Sequence, residues 1–195
     1  MERLDNASLD LVFREARTFR RWDDRTVSDD TLRAVWDLAR LGPTSANCSP
    51  MRVLFITSEA ARQRLKPHLD AGNVEQTMTA PATAIVAYDM AFHELLPRLY
   101  SVEAVGWFKG RELAIRNTAF RNGSLQGAYL IIAARALGLD CGPMSGFSHK
   151  GVDGEFFADR PSWRSNFLCN LGYGDRASLD PRLPRLAFDE ACAIL

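Results

Sequence analysis

Gly138 to Phe147 reads GLDCGPMSGF, and within these ten residues the chain changes its period. Upstream, a long helix covers about Arg111 to Leu137, and Gly138 is its stop, since glycine readily takes the left-handed turn that ends helices. A short strand follows, then a Gly-Pro-x-Ser-Gly turn over Gly142 to Gly146. Such a turn presents backbone N–H and C=O groups edge-on, which suits a flat heterocycle; a plain loop is the other reading. Working outward, RVLFIT (Arg52–Thr57), ATAIVAY (Ala82–Tyr88) and SNFLCNLGYG (from about Ser165) read as apolar strands. Between and before them lie helical patterns: Ser8 to about Ala16 with Ser8 as N-cap, and Ser28 to Arg40 capped by Ser28 and ended by Gly42-Pro43. SEAARQRLKPHL is capped by Ser58 and disturbed by Pro67, and a short helix closes the chain over Asp189–Ile194. Strands alternating with helices indicate an α/β or α+β fold with a covered sheet. Gly123 and Gly127, four apart in the long helix, suggest close approach of another helix or of a planar ligand.

The bulk numbers exclude several classes. A chain of 195 residues fits one domain (1–195) and buries a sizeable core. Twenty-four basic against 24 acidic residues argue against a general nucleic-acid or anionic-membrane binder. No apolar run approaches the ~20 residues of a spanning helix. MERLDNASLD has no signal-peptide core, so the expected location is the cytoplasm, with Cys48, Cys141, Cys169 and Cys192 as reduced thiols. His68, His93 and His149 stand far from one another and from any paired cysteines, so no metal site is expected.

Three local motifs carry chemistry or fail to. GYGDRA (Gly172–Ala177) matches G-x-G-x-x-G/A, but Pro181 and Pro184 intervene and no second strand follows, so it reads as a turn. In ARTFRRW (Ala16–Trp22), Arg17, Thr18, Arg20 and Arg21 suit a phosphate, because guanidinium forks match its oxygens; helix-dipole compensation is the alternative. DPRLPRL adds Arg182 and Arg185, stiffened by Pro181 and Pro184, or is a solvated basic turn. The uncharged GPTSANCSP (Gly42–Pro50) contains Cys48, a nucleophile only if a neighbour activates it.

In their order along nearly the whole chain, these segments resemble the FMN-dependent nitroreductase family. Arg17-Thr18-Phe19-Arg20 is similar to its R-x-S-x-R/K segment, Pro43 to Met51 to its P-S-x-x-N-x-Q-P-W loop, and Asn73 to Gln76 to its Asn-x-x-Lys element. Gly138 to Phe147 and Arg182 to Arg185 match the two closing segments. The wording GPTSANCSP, TAPATAIVA, AFRNGSLQGAYL and RALGLDCGPMSGF looks most like the malonic semialdehyde reductases of pyrimidine degradation.

The resemblance implies an α+β fold with a central, mainly antiparallel sheet wrapped by helices, in an intertwined homodimer with FMN at the interface. It implies NADH or NADPH as reductant and an aldehyde, quinone or nitro acceptor. A broad nitro- or quinone-reductase and a non-catalytic flavin-binding protein stay open beside the aldehyde reductase. Arg17, Thr18, Arg182 and Arg185 would hold the phosphate, and Arg20 would lie near flavin N1/O2. Pro43, Thr44, Ser45 and Asn47 would reach the partner's flavin. Asn73, Gln76, Pro143, Met144, Ser145 and Gly146 would line the ring. No side chain is assigned as acid or base. Gln76 stands where the family has lysine, which implies a lower flavin potential. Arg52, Arg111, Arg116 and Arg121 are candidates for a substrate carboxylate. Trp107 and Phe108 form an aromatic lid or belong to the core.

Overall fold

The computed structural model describes residues 3–195. Helix α1 (Asn6–Leu9) runs into a π-turn over Asp10–Arg14. The order then is α2 (Asp29–Ala39), β1 (Met51–Ile56), α3 (Glu59–Leu65), α4 (Ala71–Met78), β2 (Ala82–Asp89) and α5 (Leu96–Leu99). It continues with α6 (Glu112–Ala136), β3 (Asp140–Met144), α7 (His149–Phe156), β4 (Trp163–Gly172) and α8 (Phe188–Ala191). The four strands form one antiparallel sheet in the order β1-β2-β4-β3. At its outer edge β3 is met by Thr18, which bridges Cys141 in parallel, and the Phe19 N–H donates to the Cys141 carbonyl at 3.0 Å.

Period-2 alternation sends successive residues of β2 to opposite faces. Ala84 and Val86 pack with Leu32, Val35, Leu130 and Ala134 under α2 and α6. Ile85 and Ala87 pack with Leu65, Val152, Phe156 and Leu168 under α3 and α7. Because both faces are covered, β2 is apolar without alternation, as its sequence suggested. A third cluster joins Cys48, Phe92, Leu96, Phe108 and Ala119.

Ser28 caps α2 by accepting from the Thr31 N–H, and Ser58 caps α3 by accepting from the Ala61 N–H. Gly138 ends α6 at φ +80°. The first helix differs from expectation: Asp5 is its N-cap, and Ser8 supplies the N–H that Asp5 accepts. The glycines of α6 also differ. A Cβ on Gly123 would lie 2.9 Å from Tyr88 Cβ, and one on Gly127 would lie 2.6 Å from the Phe167 ring. The close neighbour is therefore the sheet, neither another helix nor a ligand. The terminal helix is one turn, Phe188–Ala191, rather than Asp189–Ile194.

Candidate functional site

The two ends of the chain meet at one cavity of about 410 Å³. Arg17, Thr18, Arg20, Arg182 and Arg185 all line it, with Arg135 from α6. Arg182 donates to the Arg14 and Ala16 carbonyls at 2.6 and 3.0 Å, and Arg17 donates to the Asp180 carbonyl. Arg185 turns back on the Leu183 and Pro184 carbonyls. Among the described residues, none of these guanidiniums has a carboxylate within ion-pair distance. Carbonyl partners orient the forks but leave their charge uncompensated. Such a concentration of positive charge favours an anion, and guanidinium forks match phosphate oxygens.

A second cluster fixes the turn after β3. The Gly146 carbonyl accepts from the Asp70 N–H at 3.0 Å and from Asn73 Nδ2 at 2.8 Å. Gln76 Nε2 in turn donates to Asn73 Oδ1. Trp22 Nε1 and Asn170 Nδ2 both donate to the Gln76 carbonyl, at 3.0 and 3.1 Å. A Cβ at 146 would lie 2.3 Å from Asn73 Nδ2, so any larger residue there must displace the Asn73 amide. Pro143 pairs with Cys169 across the sheet, and Thr77 Oγ1 lies 3.5 Å from Met144 Sδ. The segment Pro143–Gly146 is thus held rigidly on α4, with Ser145 opening onto a cavity described below. Amide pairing of Asn73 and Gln76 rests on the hydrogen-bond network.

Pro43, Thr44, Ser45 and Asn47 do not line the arginine cavity of their own chain. Their loop is strained: Ala46, Asn47 and Ser49 have φ of 50°, 49° and 39°. Left-handed non-glycine residues cost about 1–2 kcal/mol each and persist only where surroundings over-determine them. Asn122 Oδ1 accepts from the Ser45 N–H at 2.8 Å, Asn47 Nδ2 donates to the Leu99 carbonyl at 2.9 Å, and the Ser49 N–H donates to Thr44 Oγ1 at 3.1 Å. The buried side of α6 therefore presents Asn122 as a fixed hook for this loop.

Cys48 is buried in the third cluster, and burial pushes its thiol up to about 11. It is a packing residue and no nucleophile. Cys169 is pushed up by its contact with Cys141 and by burial. Phe108 is core, stacked edge-on to Phe92 at 5.0 Å, while Trp107 lies exposed beside Tyr100. GYGDRA is a turn, with Gly174 pressed against the Phe19 ring. Among the described residues no group of three or more metal-binding side chains exists, and no helix is long and apolar enough to cross a membrane.

A larger cavity, about 790 Å³, lies between α6, β4 and α7 and reaches Ser145. Sequence reasoning missed it. Its lining comes from Tyr88, Arg116, Asn117 and Phe120 on one side and His149, Asp153 and Arg164 to Phe167 on the other. Of its lining, sequence offers only Arg116, as one of four candidates for a substrate carboxylate, and Ser145, as part of the turn after β3.

An antiparallel sheet between two helical layers, with a cationic cavity beside the strap on its β3 edge, is an α+β fold of the nitroreductase type. The "Nitroreductase family" model matches residues 13–173, and the chain belongs to that family. A Burkholderia lata protein named "Putative NADH dehydrogenase/NAD(P)H nitroreductase" is 55% identical over 195 residues, covering 100% of both chains. A Ralstonia nicotianae protein of the same name is 50% identical over 196 residues, again covering 100% of both. Among solved structures, a "putative nitroreductase in complex with FMN" from Exiguobacterium sibiricum matches with TM-score 0.84 at 22% identity, covering 100% of each chain. At that identity the likeness speaks for the fold.

Proposed function

We propose that the chain is an FMN-dependent NAD(P)H oxidoreductase that reduces malonic semialdehyde to 3-hydroxypropionate and works as a homodimer in the cytoplasm. The observation that carries the flavin reading is the cavity of Arg17, Arg20, Arg182 and Arg185, which among the described residues have no carboxylate partner. The relatives named NAD(P)H nitroreductase and the FMN-bound structural neighbour support it. The donor set fits the group: cations for a phosphate, then Asn73, Gln76 and the rigid Pro143–Gly146 edge for a polar ring.

When bound, FMN would supply two-electron hydride chemistry between the pyridine nucleotide and the acceptor. The chain's own residues bind and orient. Arg17, Arg182 and Arg185, with Thr18, hold the phosphate. Gln76, neutral where the resemblance to the family implies a lysine, would leave Arg20 as the cation serving the N1/O2 edge. The Gly146 carbonyl, tied down by Asp70 and Asn73, fixes the backbone that would run along the ring edge. Pro43 to Asn47 would serve the partner's site, which fits their absence from the arginine cavity's lining. The exposed Leu113, Phe120, Leu125 and Tyr129 of α6 supply an apolar face for the second copy.

A visible spectrum tests this. The purified protein should show a flavin spectrum that bleaches with anaerobic NADH or NADPH and returns with malonic semialdehyde. Return only with quinones or nitroarenes would replace the aldehyde by a broad acceptor range. A protein that neither carries nor takes up flavin would overturn the reading.

A further inference from the structure

The cavity between α6, β4 and α7 is cationic, and among the described residues neither of its arginines has a carboxylate partner. Among the described residues Arg116 makes no ion pair and no hydrogen bond, although it lines this cavity. Arg164, across from it, spends Nη1 on the Pro161 and Trp163 carbonyls at 2.7 Å each and has no carboxylate partner. The one acid in the lining, Asp153, uses Oδ1 to accept from the Ser165 N–H at 2.8 Å. His149 Nδ1 faces Ser165, at 2.9 Å from the hydroxyl and 3.1 Å from the carbonyl. With two arginines against one carboxylate, the cavity carries net positive charge, histidine aside. Asn117 and Asn166 add amide groups to the wall, and Phe120 and Phe167 supply apolar surface.

The other arginines are accounted for differently. Arg52 is bound to Asp89 at 2.7 Å with both side chains largely buried. Arg111 donates to the Trp107 carbonyl at 3.2 Å. Arg121 is not in this lining; it lies with Leu125 and Ala128 on the neighbouring surface of α6, which shares Asn117 and Phe120 with the cavity.

We infer that this cavity is the acceptor subsite and selects acceptors that carry a carboxylate, with Arg116 as the residue that binds it and Arg164 as the second cation. The inference deepens the proposed reductase, since Ser145 joins this cavity to the rigid edge expected beside the flavin. A guanidinium fork matches a carboxylate in two parallel hydrogen bonds, while Phe120 and Phe167 line the wall beside the pair. An acceptor held there by its carboxylate presents its other end towards Ser145. A small aldehyde acid has the charge and polarity for this; an uncharged acceptor gains nothing from the two cations.

The test uses the flavin-loaded protein and malonate, a carboxylate that cannot be reduced. Calorimetry should show malonate binding that weakens roughly ten- to a hundredfold in Arg116→Gln. Arg116→Lys should recover part of it, and Arg121→Gln should bind like the wild type. In steady state, kcat/KM for malonic semialdehyde relative to propanal should fall at least tenfold in Arg116→Gln. Malonate affinity that is unchanged in Arg116→Gln, or an equal fall for propanal, would overturn the inference. If the protein holds no flavin or NAD(P)H leaves it oxidised, the reductase reading fails separately, and the malonate titration still decides what the cavity binds.

Discussion

Replacing Gly142 by alanine should damage the fold and the phosphate site together. Gly142 sits in β3, where a Cβ would lie 2.4 Å from the Phe19 carbonyl oxygen and 3.2 Å from the Trp22 ring. A carbon tolerates such an oxygen at about 3.3 Å, so the Phe19 strap must retreat by about 0.9 Å. The obstacle is backbone, and no rotamer change relieves it. Retreat lengthens the 3.0 Å bond from Phe19 N–H to the Cys141 carbonyl, worth about 1 kcal/mol, and the overpacking adds about 1–3. A loss of about 2–4 kcal/mol lowers Tm by roughly 5–15 °C in a chain of this size. Gly154→Ala is the control. It lies in α7 with no atom within 4 Å of its Cβ, and should gain about 0.5–1 kcal/mol from helix propensity. Urea and thermal unfolding of flavin-free protein reads both without ligand linkage. Gly142→Ala within about 0.5 kcal/mol of wild type, beside a normal Gly154→Ala, would refute the reasoning.

Arg182→Ala should weaken FMN binding by roughly tenfold or more while riboflavin, which lacks the phosphate, keeps its affinity; equal losses in a fluorescence titration would remove the phosphate role. Gln76→Lys should raise the midpoint potential of the bound flavin, and an unchanged or lower value in a redox titration counts against the assignment. Arg52→Ala should cost about 3–5 kcal/mol in urea unfolding, because it leaves Asp89 buried without its cation. The Cys48 thiol, raised from 9.0 to about 11, stays protonated in the fold while the unfolded chain releases its proton near 9. Its stabilisation is complete below pH 9 and is lost as the pH rises towards 11, a decline that Cys48→Ala should reduce. Alkylation of native protein at neutral pH should accordingly mark the exposed Cys192 and spare Cys48.

The parts of this fold that sequence revealed are those with a strong local cause. Ser28 and Ser58 sit before helical runs and become caps; Gly138 lies past a long run and becomes its stop. The apolar runs became β1, β2 and β4, which both helical layers bury. Helices α4 (AGNVEQTM) and α7 (HKGVDGEF) escaped because each is eight residues long, contains glycine and has no clean apolar stripe. Tertiary hydrogen bonds hold them: Asn73 to Gly146 for α4, and Asp153 to the Ser165 N–H for α7. The arginine cavity was legible only as two distant basic motifs, and the structure joins Arg17 to the carbonyl of Asp180. The acceptor cavity was not legible, since its walls come from four separate elements and no motif spans them. Gly123 and Gly127 pointed to close packing, but a sequence cannot name the Tyr88 and Phe167 that fill the space.

The strap at Thr18 has a consequence for how the protein behaves when damaged. As an edge strand of five residues, β3 offers a row of backbone donors and acceptors, and the Thr18–Phe19 backbone occupies part of it. A chain clipped after Trp22 would bare that row on an otherwise intact sheet. Free edges of this kind recruit the strands of other molecules. Proteolysis near the front of the chain would then announce itself as self-association through sheet extension, read as turbidity.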